Sequence, residues 1–228
     1  MRVGVLYSGG KDSNLAAWRA KSEGHELACL ISAYPIRADS YMFHVPNVRM
    51  ARYQAECIGV PWVDVLVSGM KELEVSELAD AMPGIAKAHR IDAVVTGAIA
   101  SRYQKERVDQ VCKKAGLRHL HPLWQQDGEV LIREMIGLGF ETYFTSVSAE
   151  GFGPEWLGRR LDHDALGDLL RLRSRHGINV SGEGGEYETF VCDMPLFRNR
   201  IKITSSKKSW QRTSGYVEIT GLELVKKG

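Results

Sequence analysis

The sequence predicts an α/β protein: a doubly wound parallel sheet with helices on both faces, followed by a smaller α+β domain. Three observations predict it. Short apolar runs alternate with helix-period segments through the first half of the 228-residue chain. Glycine- or serine-bearing loops follow directly on those runs. The alternation ends after Pro122-Leu123-Trp124, where strand-like stretches take over.

Taken in order, residues 3–7 form a continuous apolar run that stops at Ser8-Gly9-Gly10, which reads as a buried strand and a tight loop. Leu15, Ala16, Trp18 and Arg19 follow at helical spacing up to Gly24, with Asp12 or Ser13 expected to open the helix. Residues 27–33 read as a second strand, 48–58 as a helix and 62–67 as a third strand. Residues 73–89 are helical in pattern, with a break or kink expected at Pro83-Gly84. Residues 93–96 are a fourth strand, and a long helix runs from Gly97 to Ala115. Strands alternating with helices imply βαβ units, right-handed crossovers and a Rossmann-like sheet. Ligands then sit beyond the carboxyl ends of the strands, where the segments at Ser8, Ala33 and Gly97 fall. Beyond a domain boundary placed near residue 125, helices are expected at 130–138 and 163–176. Strands are expected at 141–147, 190–192, 200–204 and 216–224. The two domains are therefore 1–125 and 126–228.

Composition narrows the class. With 44% hydrophobic and 25% charged residues the chain can bury a core, which excludes a disordered polypeptide. A net charge of +2, from 30 basic and 28 acidic residues, is too even to argue for nucleic acid or an anionic membrane as the main partner, and a local patch stays open. No signal-peptide pattern opens the chain, and no run reaches the roughly 18 apolar residues of a membrane span. Cys29, Cys57, Cys112 and Cys192 lack ligand-like spacing, so no protein-held metal is expected and a reducing cytoplasm is.

Ser8-Gly9-Gly10-Lys11-Asp12-Ser13 carries the strongest chemical signal. It lies between a strand and a helix, where free amides and the positive end of the helix dipole face one spot. Two glycines bring the backbone close to an anion, Lys11 adds a compact charge, and Ser8 and Ser13 add hydroxyls. The spacing is not that of a Walker A loop. The string is similar to the SGGxDS signature of the PP-loop ATP pyrophosphatases. That resemblance implies ATP as cosubstrate, a grip on the β- and γ-phosphates, attack at the α-phosphorus, and Mg²⁺ bridging the phosphates with Asp12 nearby.

Four further strings narrow the resemblance: residues 39–47 (DSYMFHVPN), 96–104 (TGAIASRYQ), 150–159 (EGFGPEWLGR) and 182–190 (GEGGEYETF). With the loop, these resemble the diphthine–ammonia ligase (diphthamide synthetase) family in its short archaeal-type form, from Met1 to about Phe197; Asp109 stands where that family leads one to expect Glu. The resemblance implies a HUP-type version of the Rossmann-like sheet. It also implies that ATP adenylates the diphthine carboxylate of elongation factor 2 and that free ammonia displaces AMP, leaving diphthamide. Longer eukaryotic relatives carry C-terminal domains before which this chain stops. The alternatives are another PP-loop adenylating enzyme, acting on tRNA or a small-molecule acid, and a nucleotide sensor without turnover. Oligomerisation stays open.

The residues expected to act follow from both readings. Lys11, Asp12, Glu183 and Glu186 are the catalytic candidates. Ser8, Gly9, Gly10, Lys11, Asp12, Ser13, Ser32, Gly97 and Ser101 are expected around the nucleotide, with Arg107 near the α-phosphate. His44, Tyr103, Gln104, Gly184, Gly185, Tyr187 and Glu188 are expected around the acceptor. Diphthine carries a trimethylammonium group, which favours carboxylates and aromatic faces, so Tyr187 and Trp156 are read as its faces. A carboxylate of the same motif is expected to hold or deprotonate incoming ammonium.

Overall fold

The first apolar run becomes the centre of a sheet. In the computed structural model, which describes residues 1–35, 47–70 and 73–227, β1 (Arg2–Leu6) lies between β2 (Glu26–Pro35) and β4 (Ala93–Val95). β3 (Trp62–Val67) and β5 (Arg118–Leu120) form the edges, so the order is β3-β2-β1-β4-β5 and every pairing is parallel. The helices are α1 (Lys11–Ser22), α2 (Ala51–Ile58, entered through a 3₁₀ turn at Val48–Met50), α3 (Leu73–His89) and α4 (Arg102–Ala115). Leu15, Ala16, Ala51 and Ala55 pack with Val3, Val5 and Val95 on one face. Met82, Ile85, Val111 and Cys112 pack with Cys29, Ile31 and Val94 on the other. Two covered faces explain why these strands read as unbroken apolar runs.

Four local expectations change here; one is the helix expected from Gly97, which starts at Arg102 as α4 with Ser101 as its cap. α1 begins at Lys11 with Gly10 as its N-cap, so neither Asp12 nor Ser13 caps it. α3 runs unbroken through Pro83, because Pro83 and Gly84 face solvent while Ala79, Met82 and Ile85 are buried. β5 escaped the reading because Arg118-His119-Leu120 has little apolar signal of its own; pairing with β4 recruits it.

The second half contributes α5 (Gly128–Gly137), α6 (His163–His176) and an antiparallel sheet ordered β7-β6-β9-β8. Its strands are β6 (Glu141–Val147), β7 (Tyr187–Asp193), β8 (Asn199–Gln211) and β9 (Ser214–Lys226). The β8–β9 hairpin is longer than its apolar residues announced, since residues 204–208 are all exposed. Phe144 anchors a core there, with the Trp156 and Tyr187 rings edge-on at 5.0 and 4.9 Å. The cluster on the α1 and α2 face of the parallel sheet reaches the second sheet as well: Phe190, Val191, Ile201 and Ile219 join Val3, Leu15 and Ala51.

Candidate active site

The strand order reverses between β1 and β4, and the loops leaving these two strands bound a crevice. The loop after β1 turns through Gly9 at φ +84°, and a Cβ there would lie 2.8 Å from Gln54 Oε1. Only glycine meets both conditions. The Gly9 carbonyl accepts from Asn14 Nδ2, Gln54 Nε2 and the Val191 amide at 3.2, 3.0 and 3.2 Å. Gln54 Nε2 also reaches the Val191 carbonyl at 2.6 Å, so the loop is fastened to β7. The Lys11 amide donates to Thr189 Oγ1 at 3.0 Å. The Lys11 ammonium, 4% exposed, donates to Asp12 Oδ2 and to the Ser181 carbonyl and lies 5.3 Å from the Tyr187 ring centroid.

Gly97 brings the loop after β4 against this one. A Cβ on Gly97 would stand 2.7 Å from the Asp12 carbonyl carbon and 2.8 Å from the Ser13 nitrogen. Beyond it, the Ile99, Ala100 and Ser101 amides converge on the Glu183 carboxylate at 2.7 to 3.2 Å. Ser101 then caps α4, its Oγ accepting from the Gln104 amide at 3.3 Å.

Between the loops and residues 182–189 lies a cavity of about 570 Å³, a volume suited to a small-molecule ligand. Its polar end is lined by Ser8, Gly10, Lys11, Asp12 and Ser13, and its apolar side by Leu6, Ile31, Ala33, Leu78 and Val108. Glu183, Gly185, Tyr187, Glu188 and Thr189 close it from the second half of the chain. Asp12 Oδ1 is buried there without a hydrogen-bond partner among the described residues. Burial raises the Asp12 pKa, against the pull of the Lys11 charge, and Glu183 raises it further. Burial pushes Glu188 up to about 7; its carboxylate has no hydrogen-bond partner among the described residues.

A family model described as the diphthamide synthase N-terminal domain matches residues 1–119, and its C-terminal-domain counterpart matches residues 127–225. The chain is 34% identical to a diphthine–ammonia ligase of Rattus norvegicus, over 100% of this chain and 94% of that one. It belongs to the diphthine–ammonia ligase family. The family member from Homo sapiens is 33% identical over 99% of this chain and 91% of its own. That from Schizosaccharomyces pombe is 34% identical over 95% of this chain but only 38% of its greater length. Among solved structures, a U34-tRNA thiolase from Methanococcus maripaludis is 14% identical with a TM-score of 0.43, covering 82% of this chain and 71% of that one. Nothing about activity carries over at that distance.

Of the residues singled out from the sequence, this family member brings Ser8, Gly10, Lys11, Asp12, Ser13, Gly97, Gln104, Glu183, Gly185, Tyr187 and Glu188 around one cavity. Others have different tasks. Ser32 is buried, its hydroxyl donating to the Tyr7 carbonyl at 2.7 Å and accepting from Trp62 Nε1 at 2.9 Å, so it ties β1, β2 and β3 together. Glu186 accepts from the Asn179 amide at 2.9 Å and thereby closes its own turn, and Gly184 packs against that carboxylate. Tyr187 is 3% exposed, donates to the Val180 carbonyl at 2.6 Å and packs among aromatic rings. Neither it nor the buried Trp156 presents an open face to a trimethylammonium group. Ser101 spends its hydroxyl on the helix cap, and Gly97 approaches backbone rather than open space. Tyr103 is exposed, with the Arg107 guanidinium over its ring, and His44 lies outside the described residues. Gln54, Thr189 and Ser181 were missed. Thr189 and Ser181 adjoin the glycine-rich motif, but Gln54 carries no local signal, being one polar residue on a helix.

Proposed function

We propose that the chain amidates the diphthine residue of elongation factor 2 with ammonia, consuming ATP and releasing AMP and pyrophosphate. The observation that carries this reading is the SGGKDS loop at the open end of α1, facing across one cavity a second-domain motif with an ionisable carboxyl group.

The first-turn amides of α1 that follow Lys11, whose own amide is held by Thr189, and the Lys11 ammonium receive the β- and γ-phosphates, stabilising charge as pyrophosphate departs. A diphthine carboxylate oxygen attacks the α-phosphorus, and the α–β phosphoanhydride bond breaks. Ammonia then attacks the acyl carbon, AMP leaves with the bridging oxygen, and Glu188 takes the proton released from nitrogen. A carboxyl group poised near 7 is well matched to that transfer. The buried Oδ1 of Asp12, without a partner among the described residues, fits a cation. Asp12 would hold Mg²⁺ together with the nucleotide phosphates, and Mg²⁺ when bound neutralises phosphate charge. Glu183 holds the loop after β4, and Glu186 shapes its turn, so both act as positioning residues.

We further propose that residues 1–125 and 126–228 be treated as a nucleotide-binding and an acceptor-binding domain. The compartment proposed is the cytoplasm, supported by four buried thiols with no disulfide. No helix among the described residues is long and apolar enough to cross a membrane.

The test combines the purified chain, diphthine-bearing elongation factor 2, ATP and ammonium. AMP, pyrophosphate and the amide, read by mass spectrometry, should appear in equal amounts. ADP in place of AMP, or no turnover with all substrates present, would sink the reading.

A further inference from the structure

Thr96, His119 and Asp109 form a hydrogen-bonded line that ends in the cavity, and the reaction above makes no use of it. On α4, Lys105 Nζ meets Asp109 Oδ2 at 2.7 Å. The other oxygen of Asp109 meets His119 Nδ1 at 2.7 Å, and His119 Nε2 meets Thr96 Oγ1 at 2.8 Å. His119 sits on β5 opposite Val94, with a side chain only 5% exposed. Thr96 directly follows β4 and lines the cavity.

The chemistry of the line sets its direction. Hydrogen bonds from Lys105 and His119 hold the Asp109 carboxyl below the usual carboxylate range, so it is an ionised acceptor. The Nδ1 facing it therefore carries a proton. Burial holds the imidazole below its ordinary value despite Asp109, so at neutral pH Nε2 has a lone pair. Thr96 has a single hydroxyl proton, and Nε2 takes it. An unconstrained hydroxyl rotates to suit either kind of partner; this one meets the cavity with lone pairs alone.

We infer that Thr96 accepts a hydrogen bond from a ribose hydroxyl of the bound nucleotide, and that His119 and Asp109 are positioning residues that fix its polarity. The inference rests on the reading of the cavity as an ATP site. The sugar is chosen over the base by location. Gly97, the next residue, packs on the backbone of Asp12 and Ser13, so Thr96 lies beside the phosphate loop, and ribose is the part of ATP bonded to the phosphates. Protonation of His119 would reverse the line, because Nε2 would then donate and the Thr96 proton would swing into the cavity. Among the described residues, the charged and titratable groups acting on His119 are Asp109 and Lys105 of α4 and His121 just past β5.

Calorimetric titration of the full chain with ATP, 2′-deoxy-ATP and 3′-deoxy-ATP tests this. One deoxynucleotide should bind about tenfold more weakly than ATP, the loss of one hydrogen bond. Thr96→Val should bind that nucleotide and ATP alike, and Thr96→Ser should restore the preference. His119→Ala and Asp109→Asn should shrink it. Because burial holds His119 below the ordinary imidazole range, acidification well below that range should shrink it in the parent and leave His119→Ala unchanged. Equal binding of all three nucleotides by the parent, or an undiminished preference in Thr96→Val, overturns the inference. So does a penalty that follows loss of the adenine amino group, read with purine riboside triphosphate, rather than loss of a hydroxyl. A parent that binds no nucleotide overturns the ATP reading itself. Melting curves verify that each variant folds; should Thr96→Val not fold, Asp109→Asn, at the outer end of the line, makes the same comparison.

Discussion

Glu188 is a carboxyl group whose surroundings favour its neutral form, and that has consequences for rate and for stability. In the proposed reaction it takes up a proton and must therefore be ionised, so turnover should rise with pH through about 7. Glu188→Gln should lower kcat by about 10²- to 10⁴-fold while leaving ATP affinity near that of the parent. For stability the sign is the opposite. The folded chain holds the Glu188 proton more tightly than the unfolded chain, so stability falls as pH rises from the ordinary carboxylate value toward about 7. Denaturant titrations should find Glu188→Gln more stable than the parent at pH about 8 and alike near pH about 4. Gly97→Ala offers a second test, since its Cβ would meet backbone at 2.7 Å. It should weaken ATP binding at least tenfold and lower the melting temperature. At this scale the sequence was readable where chemistry is local, as in the SGGKDS string. Ser32 and Glu183 were read differently because their partners, at Trp62 and at Ile99 to Ser101, lie 30 or more positions away. Spacing says nothing about such pairs.

Elements were readable wherever burial imposed a pattern. β1, β2 and β4 announced themselves because both faces are covered; β5 and the outer half of the β8–β9 hairpin did not, because pairing rather than apolar content makes them strands. α3 shows propensity giving way to packing, with Pro83 on the exposed side of a helix whose other side is buried. Pro83→Ala should therefore stabilise the chain, by up to about 3 kcal/mol, and chemical denaturation would measure it. Asn47 displays a different device. Its side-chain amide donates to the Val217 carbonyl at 2.8 Å and accepts from the Ile219 amide at 2.9 Å, acting as one more residue of sheet beside β9. Asn47→Ala leaves both backbone groups without their partner, and a loss of about 2–4 kcal/mol is expected, read from the same denaturation curves.

For the whole molecule, the notable feature is an apolar cluster common to both sheets. Removing residues 126–228 would take Phe190, Val191 and Ile219 out of the cluster they share with Val3, Leu15 and Ala51. It would also strip residues 8–13 of Thr189, Val191 and Ser181. A fragment of residues 1–125 should therefore bind ATP at least a hundredfold more weakly than the full chain and melt without a sharp transition, both measurable by calorimetry. The attachment of Gly9 to Val191 reaches further, into the order of events during translation. Residues 8–13 are among the first to leave the ribosome, yet the strand that braces them is made some 180 positions later, roughly ten to forty seconds at cellular elongation rates. A nascent chain stalled before that strand should be unable to capture ATP, so half-made copies of this ligase would not waste it.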